Sequence, residues 1–500
     1  MHEERFRIAI IGAGFGGLAT AVNLLRRGIE DFVVVERADD VGGVWEANTY
    51  PGCRCDVPSH LSSLSFAPNP DWSHTYSAQG EIRDYLRRVA DEHGVRPHLR
   101  TGVRVLTASW DEGSSTWKVE TSAGTIEATV LVNATGPLTE PMIPDIPGLD
   151  GFTGEVMHSA RWNHDFDLVG KRVASIGTGA SAIQYVPAIA DEVAHLDVYQ
   201  RTAPWVMPHN DRPITAWERR LFRRVPVAQR LMREAIYWAR ELMVVGFTRR
   251  PGLMRFLERG GRANIERGID DPVLRERVTP GYAVGCKRIV PSNRWYRTLA
   301  RDDVELVTSP IAEVRERSVV DAEGNEREVD AIVLGTGFHV TDMPFAELVT
   351  GPGGVRLSDH WDGSPRAYLG TAVPGFPNLF LLLGPNTGSG HTSMVFMIEA
   401  QVEHLLSALT AMEARGAETV EVRAEVHDAY NREVDRRMAA TVWNTGGCSS
   451  FYFDENGRNA TLWPDFTWRF RRRATAPVES AYAFGAPAPH AAAATEAVAA

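Results

Sequence analysis

The pattern of apolar and polar positions predicts two similar β-α-β units that lie far apart in the chain. Each unit consists of an apolar strand, a glycine-rich turn, a helical segment and a second apolar strand. In the first unit the strands are residues 7–11 and 32–35 and the helix is 18–27. In the second unit the strands are 172–176 and 196–199, and the helix ends near residue 190. Strands that alternate with helices indicate parallel sheets, so we predict an α/β protein with two Rossmann-like domains.

Both turns have the spacing of a dinucleotide-binding motif. In such a motif one glycine makes the tight turn, a second lets the backbone approach a pyrophosphate, and a third small residue lets helix and strand pack closely. The residues in these three places are Gly12, Gly14 and Gly17 in the first unit and Gly177, Gly179 and Ala182 in the second. Because each turn follows a strand and precedes a helix, we expect a nucleotide at both.

The end of the second strand in each unit predicts which nucleotide binds there. Glu36 and Arg201 occupy equivalent places. A carboxylate accepts hydrogen bonds from ribose hydroxyls, as in FAD or NAD binding, whereas an arginine can neutralise a 2′-phosphate. We therefore expect FAD at the first site and NADP at the second, with a solvated surface arginine as the open alternative for Arg201.

Later segments divide the chain into a discontinuous domain and a continuous one. Residues 129–132 and 331–334 each run into a glycine turn, and residues 379–383 return to an apolar strand. We predict that residues 1–140 and 340–473 form the FAD-binding domain and that residues 150–335 form the NADP-binding domain. Residues 213–271 are helical and rich in arginine, which indicates an insertion. The Ala/Pro-rich residues 474–500 are predicted to be a disordered tail.

Composition excludes several classes of protein. The chain has 500 residues, of which 44% are apolar and 23% charged, and its formal net charge of −11 argues against a general nucleic-acid binder. Four cysteines do not make a disulfide framework, so a cytoplasmic location and isolated Cys286 and Cys448 are expected. Cys53 and Cys55 are one residue too close for a redox C-x-x-C motif, and no second Cys/His pair predicts a metal site. The first residues enter a strand at once and do not resemble a secretory signal.

No apolar run is long enough to predict a transmembrane helix. The nearest candidate, residues 235–247, is interrupted by Arg240 and Glu241, and a buried or amphipathic helix is the simpler interpretation. The surrounding residues 219–255 are basic, which leaves weak peripheral contact with a membrane open.

Two further segments carry a more specific pattern. Residues 43–56 read GVWEANTYPGCRCD, and residues 152–162, just before the second glycine turn, read FTGEVMHSARW. Both resemble the signature sequences of class B flavoprotein monooxygenases of the Baeyer–Villiger type. Asn163 departs from the Pro or Asp that usually follows the second signature, and Ser62 stands where some members have a tyrosine. Trp162 favours this type over the related N- and S-oxygenating flavin monooxygenases, which remain the alternative.

The resemblance covers residues 6–473 and implies a reaction. In the family, NADPH reduces FAD, the reduced flavin reacts with O2 to give a C4a-peroxide, and the peroxide converts a ketone to an ester or lactone. An NADPH oxidase that only releases peroxide and a disulfide reductase are the other enzyme classes left open. The ketone and the oligomeric state cannot be predicted from the pattern.

The resemblance also implies site residues. Arg288, in the segment Gly285-Cys286-Lys287-Arg288, is the expected catalytic cation, and Asp56 is the expected carboxylate beside it. Lys287 joins Arg201 at the 2′-phosphate. The full expected cofactor-binding set is Gly12, Gly14, Phe15, Gly16, Gly17, Glu36, Arg37, Gly43, Val44, Trp45, Arg54, Asp56, Val57, Val105, Gly177, Thr178, Gly179, Ala180, Ser181, Gln184, Arg201, Thr202, Lys287, Arg288 and Met394.

Three more residues have expected roles that are less direct. His158 and Trp162, in the second signature, are expected to couple the two domains. His391, in the segment before Met394, either faces the flavin or substrate or caps the following helix.

Overall fold

The first sheet takes strands from both ends of the chain. The computed structural model describes residues 3–485. Residues 3–133 form strands β1 (Glu3–Ile11), β2 (Phe32–Val35), β3 (Leu99–Arg100), β4 (Val105–Asp111), β5 (Thr116–Thr121) and β6 (Gly124–Asn133), and helices α1 (Phe15–Arg26), α2 (Val44–Ala47) and α3 (Gln79–Glu92). β1 lies between β2 and β6 and pairs with both in parallel, so its Ile8 and Ile10 are completely buried.

The second sheet is formed by the middle of the chain. Its elements and their attachments are strands β7 (Glu155–His158), β8 (Arg172–Ile176), β9 (His195–Tyr199), β10 (Val206–Met207), β11 (Val290–Pro291), β12 (Val304–Val307), β13 (Ile311–Arg315), β14 (Ser318–Asp321), β15 (Glu326–Glu328) and β16 (Ala331–Leu334), and helices α4 (Ala180–Ile189), α5 (Ala216–Arg224), α6 (Pro226–Glu241), α7 (Met254–Gly268), α8 (Pro272–Val278) and α9 (Trp295–Leu299). Five strands run in parallel in the order β12-β9-β8-β16-β7. The predicted α/β class is therefore confirmed.

The last part of the chain returns to the first sheet. It contains strands β17 (Val349–Thr350), β18 (Leu379–Leu381), β19 (Thr419–Val422) and β20 (Tyr482–Gly485), and helices α10 (Pro344–Leu348), α11 (Leu357–Trp361), α12 (Met394–Ala414), α13 (Ala424–Met438), α14 (Val442–Thr445) and α15 (Thr467–Ala474). β17 pairs with β4 and β18 pairs with β6, which completes an 8-stranded sheet. The apolar side chains of α1 and α12 share one core beside this sheet.

The segment predicted as a helical insertion is helical. Helices α5 to α7 occupy most of residues 213–271, with one π-helical turn at Val245–Arg249. Within residues 3–485, no helix combines the length and the apolar character needed to cross a membrane.

The predicted disordered tail is wrong for residues 474–485. β20 pairs antiparallel with β19, and Val478, Ala481 and Tyr482 are buried in the core of the first sheet. Composition misled the prediction because a few apolar side chains within an Ala/Pro-rich segment are enough to close a strand pair. The remaining residues of the predicted tail, 486–500, lie outside the described residues.

A buried histidine, His404, links this segment to α12 through hydrogen bonds and makes the stability of the fold depend on pH. His404 lies 2.9 Å from the Ala474 carbonyl and 2.8 Å from the Tyr482 hydroxyl. Burial lowers the pKa of His404 to about 4, although the bond to Ala474 opposes the shift. The unfolded chain therefore binds more protons between the lowered pKa and the ordinary value of about 6.5, and stability falls as the pH decreases through this window.

We expect His404→Gln to flatten the dependence of Tm on pH across this window. The full effect of one such histidine is about 3 kcal/mol of unfolding free energy at the acid end. The matched control is the exposed His164→Gln, which should leave the slope of Tm against pH unchanged. Equal slopes for His404→Gln and the unchanged protein would contradict this role of His404.

Candidate active site

Both glycine turns have the backbone geometry that a bound pyrophosphate requires. Gly12 and Gly177 have φ values of +102° and +107°, in the region that favours glycine. A Cβ atom at Gly12 would lie 2.7 Å from the Ala134 carbonyl oxygen, and one at Gly177 would lie 2.4 Å from that of Gly335. Each turn is thus pressed against the end of a neighbouring strand and admits no side chain.

The helices that follow the turns begin with free backbone N–H groups. Gly14 precedes α1 and Gly179 precedes α4, and neither helix has a side-chain cap at its start. Such a helix start favours a phosphate because its unpaired N–H groups and dipole face the anion. Glu36 accepts hydrogen bonds from the N–H groups of Ala13 (2.7 Å) and Ala38 (2.9 Å), so its carboxylate is fixed beside the first turn. This arrangement fits the adenosine half of FAD.

The second site combines two cations, Arg201 and Lys287, and neither has an ion-pair partner within residues 3–485. Burial lowers the pKa of Lys287, and the positive charge of Arg201 lowers it further. The ammonium group lies 5.4 Å from the centre of the Tyr282 ring. A dianionic phosphate would relieve this repulsion, so the pair fits the 2′-phosphate of NADP. Beside it the Thr178 hydroxyl donates to the Thr202 carbonyl (3.2 Å), while Ala180 and Ser181 begin α4.

Arg288 and Asp56 form a bidentate ion pair that joins the segment after Lys287 to the first signature segment. Arg288 Nε lies 2.7 Å from Asp56 Oδ2, and Nη2 lies 2.6 Å from Oδ1. The side chains are 33% and 16% exposed, so the arginine is the more accessible partner. Burial alone would raise the pKa of Asp56, but the charge of Arg288 outweighs it and the pKa is lowered. Asp56 in turn raises the pKa of Arg288, which keeps its charge at every accessible pH.

The segment that carries Arg288 is joined to a distant loop by a disulfide. Cys286 and Cys448 are bonded, and the Ala283 N–H donates to the Gly446 carbonyl (2.9 Å). The expectation that these two cysteines stand alone is therefore wrong: the fold brings together residues that are 162 positions apart. The same loop places buried Tyr452 close to Arg288, whose charge partly offsets the burial that raises the pKa of Tyr452 to about 12.

Gln184 and Arg54 join the two domains to each other. The Gln184 amide accepts from the Tyr50 hydroxyl (3.0 Å) and the Arg54 N–H (3.2 Å), and donates to the Arg54 carbonyl (3.0 Å). The Arg54 guanidinium forms an ion pair with Asp211 at 3.0 Å. Asp211 is a site residue that the sequence did not predict. Gln184 and Arg54 both belong to the predicted cofactor set, and the structure shows that their polar groups also hold the domain interface.

The second signature segment packs within the NADP-type domain. His158 ends β7, and its Nε2 lies 3.1 Å from the Gly337 carbonyl. Trp162 packs against Tyr185 of α4, with ring centres 5.6 Å apart. Burial lowers the pKa of His158 to about 4, so the ring is neutral near pH 7. These contacts favour a structural role, and the expected role in domain coupling stays a prediction.

His391 forms a buried pair that sequence reasoning did not find. Its Nε2 lies 2.8 Å from Glu241 of α6, and both side chains are almost fully buried. Ser393 caps α12 through a hydrogen bond from the Val395 N–H, so the helix-capping alternative for His391 is wrong. Glu241 also accepts from the Thr467 N–H (3.0 Å) and hydroxyl (2.6 Å). A hydrogen-bonded pair formed across 150 positions leaves no local signal in the sequence.

The other predicted FAD contacts lie along the first turn and its neighbours. Phe15, Gly16 and Gly17 begin α1, and Gly43 leads into α2, which contains Val44 and Trp45. Val57 follows Asp56 directly. Met394 begins α12, and its sulfur accepts from the Ser389 N–H (3.2 Å).

Two predicted FAD contacts differ from the rest. The Arg37 guanidinium is held by Glu140 and by the Thr139 carbonyl (3.2 Å). Val105 begins β4, close to the segment in which the Val103 N–H donates to the Glu36 carbonyl (3.0 Å). Both lie close to Glu36, and their contact with FAD stays a prediction.

We expect Cys53→Ser and Cys55→Ser to retain NADPH oxidation and oxygenation. Both thiols are free, and burial raises the pKa of Cys53 to about 12 and that of Cys55 to about 11. A thiol so rarely ionised near pH 7 is a poor nucleophile, which disfavours dithiol chemistry. Steady-state NADPH consumption tests this, with Cys286→Ser as a control that opens the disulfide instead. Loss of flavin reduction in either Cys53→Ser or Cys55→Ser would contradict the prediction.

Comparisons with known proteins show the family to which the chain belongs. The family described as pyridine nucleotide-disulphide oxidoreductase matches residues 9–225. A protein of Streptomyces coelicolor named Baeyer-Villiger monooxygenase is 51% identical over 475 residues, which cover 94% of this chain and 92% of that protein.

Solved structures extend the likeness to the whole fold. Cyclohexanone monooxygenase from Rhodococcus sp. Phi1, bound to NADP+, matches with a TM-score of 0.88 and 28% identity, covering 97% of this chain and 100% of that chain. A protein named OTEMO, in complex with FAD and NADP, matches with a TM-score of 0.86 and 26% identity over 96% of this chain and 99% of that chain. These matches confirm the resemblance and the enzyme class inferred from the signature segments, and the cofactors named with them are the two expected. The chain belongs to the Baeyer–Villiger monooxygenase family.

Proposed function

We propose that this protein uses NADPH, FAD and O2 to convert ketones to esters or lactones. The observation that carries the proposal is the bidentate pair of Arg288, the neighbour of Lys287 in the chain, with Asp56 of the first signature segment. FAD, when bound, supplies the electron transfer and oxygen activation. The protein has to bind and orient the cofactors and the substrate, and to stabilise the charge that develops during the reaction. One oxygen atom enters the bond beside the ketone carbonyl, the other leaves as water, and NADPH is oxidised to NADP+.

Arg288 is proposed as the catalytic cation. Its Nε and Nη2 atoms bind Asp56, whereas Nη1 has no hydrogen-bond partner within residues 3–485. That free edge can bind an oxygen atom on which negative charge develops during the reaction. A preorganised donor of this kind stabilises a transition state because it needs no reorientation when the charge appears.

Asp56 is proposed as a positioning residue. The carboxylate fixes the plane of the guanidinium through two parallel hydrogen bonds, which a monodentate partner could not do. Its lowered pKa keeps it ionised at the pH of the reaction. The carboxylate acts on the substrate through Arg288.

Oxygenation of nitrogen or sulfur is the alternative function. A panel of aryl, cyclic, linear and steroid ketones, with thioethers alongside, separates the two when the products formed with NADPH and O2 are identified. We expect esters or lactones from at least one ketone class, in amounts that account for most of the NADPH consumed. Sulfoxides without any ester would contradict the proposal, and peroxide alone would indicate an NADPH oxidase.

A further inference from the structure

Helix α6 has the reverse of the usual distribution of polar and apolar side chains. Its inward positions recur every four residues: Gln229, Tyr237 and Glu241 are buried, and Arg233 is half-buried with its guanidinium bound to the carbonyls of His60 and Ser63. Three of these four are fully polar, whereas a helix at a protein surface normally turns an apolar stripe inward.

The inward side chains are satisfied by specific hydrogen bonds. Gln229 donates to the Asn69 carbonyl (2.6 Å), and Arg233 donates to the carbonyls of His60 (2.6 Å) and Ser63 (2.8 Å). Tyr237 and Glu241 both bond to Thr467. The orientation of α6 is therefore fixed by polar anchors and not by burial of its apolar side.

The outward side of α6 is apolar. Val227, Leu231, Trp238 and Leu242 are 58%, 65%, 52% and 72% exposed. With Ala235 they form one stripe, because residues three or four positions apart lie on the same side of a helix. The exposed Leu253 and Phe256 follow just beyond the π-helical turn. We call Val227, Leu231, Ala235, Trp238 and Leu242 the outer stripe.

The segment that carries the outer stripe is rich in arginine in an otherwise acidic protein. Residues 219–255 contain ten arginines and two glutamates, whereas the whole chain has a formal net charge of −11. Arg220, Arg224 and Arg230 are exposed, and none of them has an ion-pair partner within residues 3–485. An exposed apolar stripe beside free positive charges is the combination that binds the interface of an anionic bilayer.

We propose that α6 docks this protein on the surface of an anionic lipid bilayer, with the outer stripe inserted among the lipids and the arginines at the headgroups. Charge selects this partner over a second copy of the chain. In a two-fold symmetric dimer the same surface would meet itself, so the arginines of one copy would face those of the other. Docking would leave the inward anchors of α6, including Glu241 and its bond to His391, unchanged.

The test is sedimentation of the FAD-loaded protein with lipid vesicles. We expect binding to phosphatidylcholine vesicles that contain about 30 mol % phosphatidylglycerol, weak binding to phosphatidylcholine alone, and loss of binding when salt is raised well above ~0.1 M. The measurement needs no substrate or turnover, so its failure leaves the proposed oxygenation intact.

Two sets of variants separate the apolar and the charge contributions. The first is Leu231→Gln, Trp238→Gln and Leu242→Gln combined, with Ile143→Gln, Val169→Gln and Val355→Gln as a control triple at exposed apolar sites elsewhere. The second is Arg220→Gln, Arg224→Gln and Arg230→Gln combined, with the exposed Arg317→Gln, Arg432→Gln and Arg436→Gln as its control triple. We expect each α6 triple to weaken binding by on the order of 100-fold and each control triple to have little effect.

Several outcomes would overturn the proposal. Equal binding to both vesicle types, no binding to either, or equal losses in the α6 and control triples would each do so. Light scattering provides a further check, because a dimer that the apolar triple separates would show that a second copy covers the outer stripe. All substituted side chains are exposed, so we expect every triple variant to remain folded. Unchanged flavin absorbance and an unchanged Tm would show this.

Discussion

Replacing Arg288 by methionine is expected to reduce ester formation by about 100- to 1,000-fold, the usual cost of removing a preorganised charge-stabilising donor. NADPH should still reduce the flavin, because Arg288 pairs with Asp56 and does not belong to the cation pair expected at the 2′-phosphate. The measurement is the ratio of ester formed to NADPH consumed, with peroxide determined in parallel. Nearly all of the NADPH that the variant oxidises should be accounted for by peroxide.

Two further variants control for loss of structure and for charge alone. Arg301→Met breaks another bidentate arginine–aspartate pair, with Asp303, at the edge of the second sheet, and should leave the ratio unchanged. Arg288→Lys retains the charge but loses the planar fork that matches Asp56, so an intermediate ratio is expected. Normal ester formation by Arg288→Met would contradict the assigned role.

The combined change Arg201→Gln and Lys287→Gln is expected to raise KM for NADPH far more than KM for NADH. Each charge-assisted contact to a phosphate contributes about 1.5–3 kcal/mol, or roughly 10- to 150-fold. NADH has no 2′-phosphate and gains nothing from either cation. Steady-state kinetics with both cofactors measures the ratio of the two KM values.

The control for this pair removes two charges that lie elsewhere in the same domain. Lys171→Gln and Arg317→Gln combined should leave the preference for NADPH unchanged. Equal losses for NADPH and NADH in the Arg201/Lys287 variant would contradict the assignment of the phosphate site.

The parts of the fold that could be predicted are those with a local physical signal. A glycine at φ +102° and a strand buried on both sides restrict which residue types can stand at those positions. Both β-α-β units can therefore be predicted from the sequence. The pairing of Asp56 with Arg288 was expected only from the resemblance, because 232 positions separate the two residues.

The remaining features depend on contacts between distant segments. The Cys286–Cys448 disulfide and the Glu241–His391 pair each join residues more than a hundred positions apart, and neither follows a recognisable spacing. The apolar residues of α6 are periodic, but periodicity does not say which side faces the protein. Polar anchors on the opposite side decide this, and they bind carbonyl groups that carry no sequence signal.

Oxygen transfer to a ketone is tested most directly with isotopically heavy O2. Purified protein, NADPH and a ketone that is consumed are incubated under the labelled gas, and the product is analysed by mass spectrometry. The account predicts an ester or lactone that carries one heavy oxygen atom, formed in step with NADPH oxidation. Heavy label recovered only as peroxide or in a sulfoxide, with no labelled ester from any ketone, would contradict it.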